Sequence, residues 1–544
     1  MAVAEKTPIG RNSKIALVSP QINTTGSIFD MGQVGQFESY FHPNKFKRKI
    51  CTPRLRTLGI SMIHGLLEKQ GYNNVVSLDF RYRPNSQPTS EDWKDIYQSD
   101  LLGLTAITKT AEQALQVAKI YKEAKPNGIV VMGGYHASAR PEEALKAGVD
   151  VVVIGEGEKT MAELMQYLES GEKKMDNILG IAYLDKDGQM IITPKRPLMK
   201  KYELSSLPSP IFDPMVEKFA TYDGLTTSRG CPFDCEFCGV TQFYCGKYTT
   251  FTDEAVIREL RHLDDLSKNR KNRRSIFVED DNFAAMQIRA MRLLGRFDKT
   301  GLFPPGSGVQ VRKEAGLNPQ LNEQFVRSGI TSVYVGVESI SDKTLEKANK
   351  KATREEYERS IKQWREAGLW VHGMFIVGLD GDTKQSFEET KQWAIENVHS
   401  AQFFAPVPLP GTTMTKRMQE EGRIITEKWS LYDGHHVLLR PGEEQGFTAW
   451  ELQKAIVNIT DQFYDYKNIG KLILKDKINN PSIPEKQQFA WKLGMLKKSL
   501  SLRVYAHWAL GNMMKEPGTV AYNLQLQAME KPQILKGGVV FSSG

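Results

Sequence analysis

Three cysteines within eight residues, Cys231, Cys235 and Cys238, are the groups in this chain best suited to chemistry. They follow the apolar run 224–227 with the spacing C-x3-C-x2-C, in a short loop. Thiolates this close suit a soft metal centre. An iron–sulfur cube is usually held by four cysteines, so three leave one iron open to hold something else. A structural zinc site would want a fourth ligand, and Cys245, seven residues past Cys238, is placed to supply it. A disulfide framework does not fit. Five cysteines in 544 residues are few, and the polar N-terminus has no signal-peptide core.

The composition, 40% hydrophobic and 25% charged, is that of an ordinary globular protein. No run approaches the roughly 18 apolar residues of a membrane span. A cytoplasmic, reducing location is expected. The net charge of +8 is modest. The basic run 268–274 reads as a solvated connecting loop, and no interleaved basic and aromatic stripe points to nucleic acid.

The elements that must position the cysteines alternate strand and helix. Strands are expected at 15–18, 75–80, 101–107, 129–132 and 151–154, with helices over 58–70, 111–123 and 161–169. Such alternation predicts a parallel, doubly wound sheet whose ligand lies beyond the carboxyl ends of its strands. Those ends carry Thr105, then Gly133-Gly134-Tyr135-His136, then Gly155-Glu156-Gly157-Glu158. Glycines there let the backbone approach a ligand. A bridge with a hairpin at 181–185 and 190–192 leads through a proline-rich connector to a second alternation. Its strands are expected at 224–228, 275–279, 307–311, 332–337, 371–377 and 401–405. Barrel sites gather at such strand ends, which here bear Glu279-Asp280-Asp281, Gln310 and Arg312, Glu338, and Gly373 to Gly378. A carboxylate at a strand end also has a plainer use, capping the next helix.

The cysteine loop, with Arg229-Gly230 ahead of it and Phe237 between the last two cysteines, resembles the radical S-adenosylmethionine (SAM) superfamily. The GG-x-H and GEGE turns resemble the cobalamin-binding domain that precedes the barrel in one large class of those enzymes. The likeness covers roughly residues 100 to 440. It implies an α/β chain. A doubly wound, Rossmann-like cobalamin-binding domain (13–200) precedes a partial (β/α)6 TIM-like barrel (215–425) and a mainly helical C-terminal region (426–544).

The same resemblance assigns Cys231, Cys235 and Cys238 to a [4Fe-4S] cluster that binds and cleaves SAM to a hydrogen-abstracting radical. Glu338, Gln310, Arg312, Asp281, Gly373 and Gly378 would border SAM, with Asp280 beside Asp281. Thr105, Gly133, Gly134, His136, Gly155, Glu156 and Gly157 would border cobalamin. The histidine motif that ligates cobalt in many such domains is missing, since the first loop reads Ser19-Pro20-Gln21-Ile22-Asn23-Thr24-Thr25-Gly26. Tyr248 and Phe237 would shield the cluster, and Cys245 falls outside the motif.

The implied activity is a cobalamin-dependent (methylcobalamin) C-methyltransferase acting on a small hydrophobic substrate, a tetrapyrrole or isoprenoid lipid. Its reductant would be a flavodoxin or ferredoxin. Ring formation or oxidation within the same class is the alternative, and a non-catalytic cobalamin or iron–sulfur sensor is the alternative from another class. With no swinging arm in the sequence, the two domains are expected to stack. His435 and His436 are expected at the substrate mouth. The amphipathic stretch 486–515 reads as a helix on the barrel, or as a contact with a membrane surface or greasy substrate.

Overall fold

The computed structural model describes residues 9–20, 57–83, 86–170, 174–268, 273–465, 468 and 517–535. The first sheet holds β1 (Ile15–Ser19), β2 (Val75–Asp79), β3 (Leu101–Thr105), β4 (Ile129–Gly133), β5 (Val151–Val153), β6 (Ile181–Leu184) and β7 (Met190–Ile192). Their spatial order is β2-β1-β3-β4-β5-β6-β7. Strands β1 to β5 run parallel, and the order reverses between β1 and β3. That switch point is where a doubly wound sheet opens a crevice.

Alternate side chains fill two separate layers. Ile15, Leu17, Val131 and Val153 pack under helices Leu58–Lys69 and Gly157–Ser170. Ala16, Val18, Val130 and Val152 pack against helix Ala111–Ala124 on the other face. Period-two burial on both faces explains why these strands read as continuous apolar runs.

Two expectations change. The hairpin β6–β7 belongs to this sheet, pairing antiparallel with β5, so the sheet is mixed. Buried Ile181 and Ala182 of β6 continue the two core layers, which is why the hairpin docks there. A further helix, Ser90–Gln98, sits between β2 and β3 with a Thr89–Asp92 capping box, a signal legible in the sequence.

The second sheet is singly wound and open. β8 (Tyr222–Leu225), β11 (Ser275–Val278), β12 (Ser307–Val311), β13 (Ile330–Glu338), β14 (Trp370–Ile376) and β15 (Ser400–Phe404) lie side by side in chain order, all parallel. One large core, with Trp364, Phe375 and Phe403 at its centre, joins this sheet to its helices and to the later helix Ala449–Phe463. A ribbon of β9 (Ser228–Gly230) and β10 (Tyr248–Thr250) caps the sheet's first strand. Among the described residues no helix is long and apolar enough to cross a membrane. Residues 21–26, 269–272 and 486–515 lie outside the described residues.

Candidate functional site

The cysteine loop is built by hydrogen bonds from its neighbours. Asp280, at the end of β11, is fully buried and takes four donors: the amides of Thr227 (2.6 Å) and Ser228 (3.0 Å) and both their hydroxyls. Arg289 reaches the same turn through the Thr227 hydroxyl (2.8 Å) and carbonyl (2.7 Å), and its charge offsets that of Asp280. Asp280 therefore shapes the loop instead of facing a ligand, because its oxygens are already used. Asp281 accepts the Gly230 amide at 3.0 Å. Gly230 has φ +82°, and a Cβ there would lie 2.1 Å from the Lys247 carbonyl, so only glycine fits.

Beyond Gly230, the Glu236 amide donates to the Ala348 carbonyl, and the Glu236 carboxylate pairs with Arg417 at 2.9 Å. Thr241 donates its hydroxyl to the Phe233 carbonyl. Cys235 is buried, and Cys231 and Cys238 are half-buried. Burial pushes the Cys231 and Cys238 thiols up, and each is pushed further by the neighbouring cysteines. Backbone amides of Phe233, Val240 and Thr241 oppose that shift by donating toward sulfur. Phe237 packs with Ala348, Leu379 and Met414, and the half-buried Tyr248 lies in β10, opposite Gly230. Cys245 is exposed, with φ +53°, and takes a 2.8 Å contact from Lys195. It is a surface thiol rather than a buried one.

The other strand ends converge unevenly. Arg312 stacks over the Phe233 ring at 3.7 Å, lies 3.8 Å from the Cys235 sulfur and donates to the Lys351 carbonyl. Glu338 pairs with buried Lys350 at 3.0 Å. Lys350 carries no sequence signal, since it reads as part of a polar Asn349-Lys350-Lys351 turn. Gln310 is half-buried on β12, and its carbonyl accepts the Phe283 amide. The glycines at 373 and 378 do not open onto a site. A Cβ at Gly373 would meet Phe375 and Val398, and one at Gly378 would meet Leu452 of helix Ala449–Phe463, so packing explains both.

Between the two sheets lies a cavity of about 360 Å³. Thr105, Gly133, Gly134, Gly155, Glu156 and Gly157 line it from the first sheet, and Ser228, Arg229, Glu279 and Asp281 from the second. Leu17, Ile60, Val131 and Val153 make an apolar flank. Gly155 has φ +85°, and a Cβ there would meet nothing among the described residues within 4 Å. Arg229 spans the junction, donating to Glu156 at 2.9 Å and to Glu158 at 2.6 Å. Glu158 stays below the ordinary carboxylate range because Arg229 outweighs the effect of burial.

His136 does not face the cavity. It is buried edge-on to Trp429 (5.0 Å) and 3.3 Å from Glu143, which also accepts the Trp429 indole. His435 and His436 are likewise buried. His436 is held by Asp433 and Thr519, and His435 by packing on Phe404, so neither lines a mouth.

The donor sets fit the implied groups. Three thiols, two of them with amides aimed at sulfur, suit an iron–sulfur cube, whose potential such bonds set. Among the described residues no three His, Cys, Asp or Glu side chains gather as around one ion. The glycine-edged cavity with an apolar flank suits a flat, bulky corrin.

Two outcomes follow. Arg229→Ala strands two buried carboxylates. It is expected to cost about 3–5 kcal/mol, the usual price of breaking a buried pair, read as a lower unfolding midpoint; a loss under ~1 kcal/mol would show the junction holds without it. Burial, reinforced by Asp280, pushes Asp281 up to about 6. A raised carboxyl favours the protonated fold, so this contribution is full below the ordinary value and is lost as pH rises through about 6. Asp281→Asn apoprotein should therefore gain on wild type in melts above pH ~6, by at most ~3 kcal/mol, and little at pH ~4. A pH-independent difference would contradict this.

Residues 225–394 match the family profile described as the Radical SAM superfamily, and residues 52–165 the one described as the B12 binding domain. An uncharacterized methyltransferase of Pyrococcus horikoshii is 28% identical over 413 residues, spanning 74% of this chain and 84% of that protein. The anaerobic magnesium-protoporphyrin IX monomethyl ester cyclase of Rubrivivax gelatinosus is 26% identical over 390 residues, 68% of each. The fold matches the radical SAM methyltransferase TsrM of Kitasatospora setae, solved with cobalamin and a [4Fe-4S] cluster bound. The TM-score is 0.62 at 15% identity, covering 96% of this chain and 100% of that one.

Proposed function

We propose that this chain, which belongs to the radical SAM superfamily and carries a B12-binding domain ahead of its barrel, is a C-methyltransferase acting on an unactivated carbon of a small hydrophobic molecule. The observation that carries the reading is the shared cavity. Ser228 and Arg229, the residues just ahead of the cysteines, border one space with the glycine turns of the first sheet, and Arg229 joins the two. When bound, the cluster with SAM supplies hydrogen abstraction, and cobalamin supplies the methyl group.

The chain's own residues hold and orient. Cys231, Cys235 and Cys238 would ligate the cluster, with the amides of Phe233, Val240 and Thr241 lowering the cost of their negative charge. Glu338 would accept from the ribose hydroxyls of SAM. Arg312 and Lys350 would balance the SAM carboxylate, with Gln310 and Asp281 beside it. Thr105, Gly133, Gly134, Gly155, Glu156 and Gly157 would border the corrin. His136 is left out, because its ring is committed to Trp429 and Glu143.

The cyclase relative supports a second reading, ring formation on a tetrapyrrole. The methyltransferase relative is matched at slightly higher identity and over more of both chains, which favours methylation. An isoprenoid lipid is the other substrate class we carry, and a flavodoxin or ferredoxin the reductant class. The domain limits adopted are 13–200, 215–425 and 426–544, and the site of action is the cytoplasm.

The test is anaerobic reconstitution with iron, sulfide and hydroxocobalamin, followed by SAM and dithionite. About one four-iron cluster and one corrin per chain are expected, with 5′-deoxyadenosine release abolished by Cys235→Ala. Gly133→Leu, which grows into the cavity beside Val153, should lower corrin content and leave iron unchanged. Label from methyl-labelled SAM should then appear on a tetrapyrrole or isoprenoid substrate. Zinc in place of iron, or no SAM cleavage, would sink the reading and favour a sensor.

A further inference from the structure

One buried polar group has no role in the scheme above. Tyr135 belongs to the Gly133–His136 turn of the first sheet, yet its side chain leaves that unit and enters the cysteine loop. Its ring stacks on Phe243, with centroids 5.7 Å apart and planes 21° from parallel. Its hydroxyl is shut off from water and has no hydrogen-bond partner among the described residues. The oxygen rests against Gly239, the residue after Cys238: a Cβ at Gly239 would lie 2.1 Å from it. Burial and then the Cys238 charge push the phenol up, which places the two groups as electrostatic neighbours. A buried donor left unmade is costly, and Gly239 keeps clear the space this one occupies.

We propose that Tyr135 is a positioning residue for the iron–sulfur cluster, its hydroxyl donating a hydrogen bond to the sulfur shell at Cys238. The cluster would then be tuned by a side chain of the B12-binding domain. This rests on the cluster assignment made under the proposed function. A donor to sulfur stabilises the more negative, reduced cluster and raises its potential. Reduction would be easiest when the two units are docked, with Arg229 between Glu156 and Glu158 and Tyr135 over Gly239.

The experiment uses the full chain, reconstituted anaerobically with iron and sulfide, as wild type, Tyr135→Phe and Tyr135→Leu. Iron content is measured first. If wild type takes up no four-iron cluster, the cluster assignment fails and the tyrosine proposal falls with it. If it does, midpoint potentials are read by EPR-monitored titration. Tyr135→Phe keeps the ring stacked on Phe243 and loses only the hydroxyl. It should hold wild-type iron with a roughly tenfold less favourable reduction, about 59 mV more negative for one electron. Tyr135→Leu should shift at least as far. Equal potentials in wild type and Tyr135→Phe, or a shift in Tyr135→Leu alone, would overturn the proposal and leave Tyr135 a packing residue.

Discussion

The Arg229 guanidinium lies between the carboxylates of Glu156 and Glu158, and all three side chains are largely out of water. Arg229 is two residues from Cys231, and the two glutamates alternate with the glycines that edge the cavity. A single cation thus ties the cysteine loop of one unit to the glycine turn of the other. Desolvating three charges is expensive, and a well-packed apolar substitute is often as stable. What the ion pair adds is geometry: two fixed donors and two fixed acceptors admit one docking, where a greasy contact would admit several.

That docking makes sense of how the two sheets are built. Each presents the carboxyl ends of its parallel strands to the other, and parallel sheets gather turns and ligands at those ends. The contacts outside the cavity reinforce the same arrangement. Trp429 donates to Glu143 and the Ser430 amide to Glu112, so a segment after the barrel grips the first unit. Asp213, in the connector, accepts the Asp79 amide and pairs with Arg83. The connector is therefore fixed at β2.

Much of this was legible in the sequence, and for identifiable reasons. Cysteine spacing, glycine turns and strand-end carboxylates are local patterns, and local patterns survive without a partner. What escaped were pairings across the chain. Lys350 gains meaning only opposite Glu338, and Tyr135 only against Gly239. His136 has the right motif, but Trp429, nearly three hundred residues later, turns it inward. The glycines at 373 and 378 followed the strand-end pattern while answering to Phe375 and Leu452 behind the sheet. A glycine tells the reader that space is scarce, and only the fold tells what occupies it.

The backbone around the cysteines carries a further signal. Four described non-glycine residues have positive φ: Ser86, Cys245, Glu338 and Asn349. Three of the four surround the cysteine loop. Asn349 donates to the Asp234 carbonyl, Cys245 ends the helix that starts after Cys238, and Glu338 sits where β13 slips register against β14. That slip re-aims the carboxylate toward Lys350. The carboxylate then occupies the space beside Gly336, where a Cβ would lie 2.4 Å from the Glu338 Oε1 atom. Left-handed backbone at a side-chain-bearing residue costs about 1–3 kcal/mol and persists only where the surroundings impose it. Strain gathered at these positions, beside a buried ion pair and three thiols, marks where the fold has given up stability to hold groups in place.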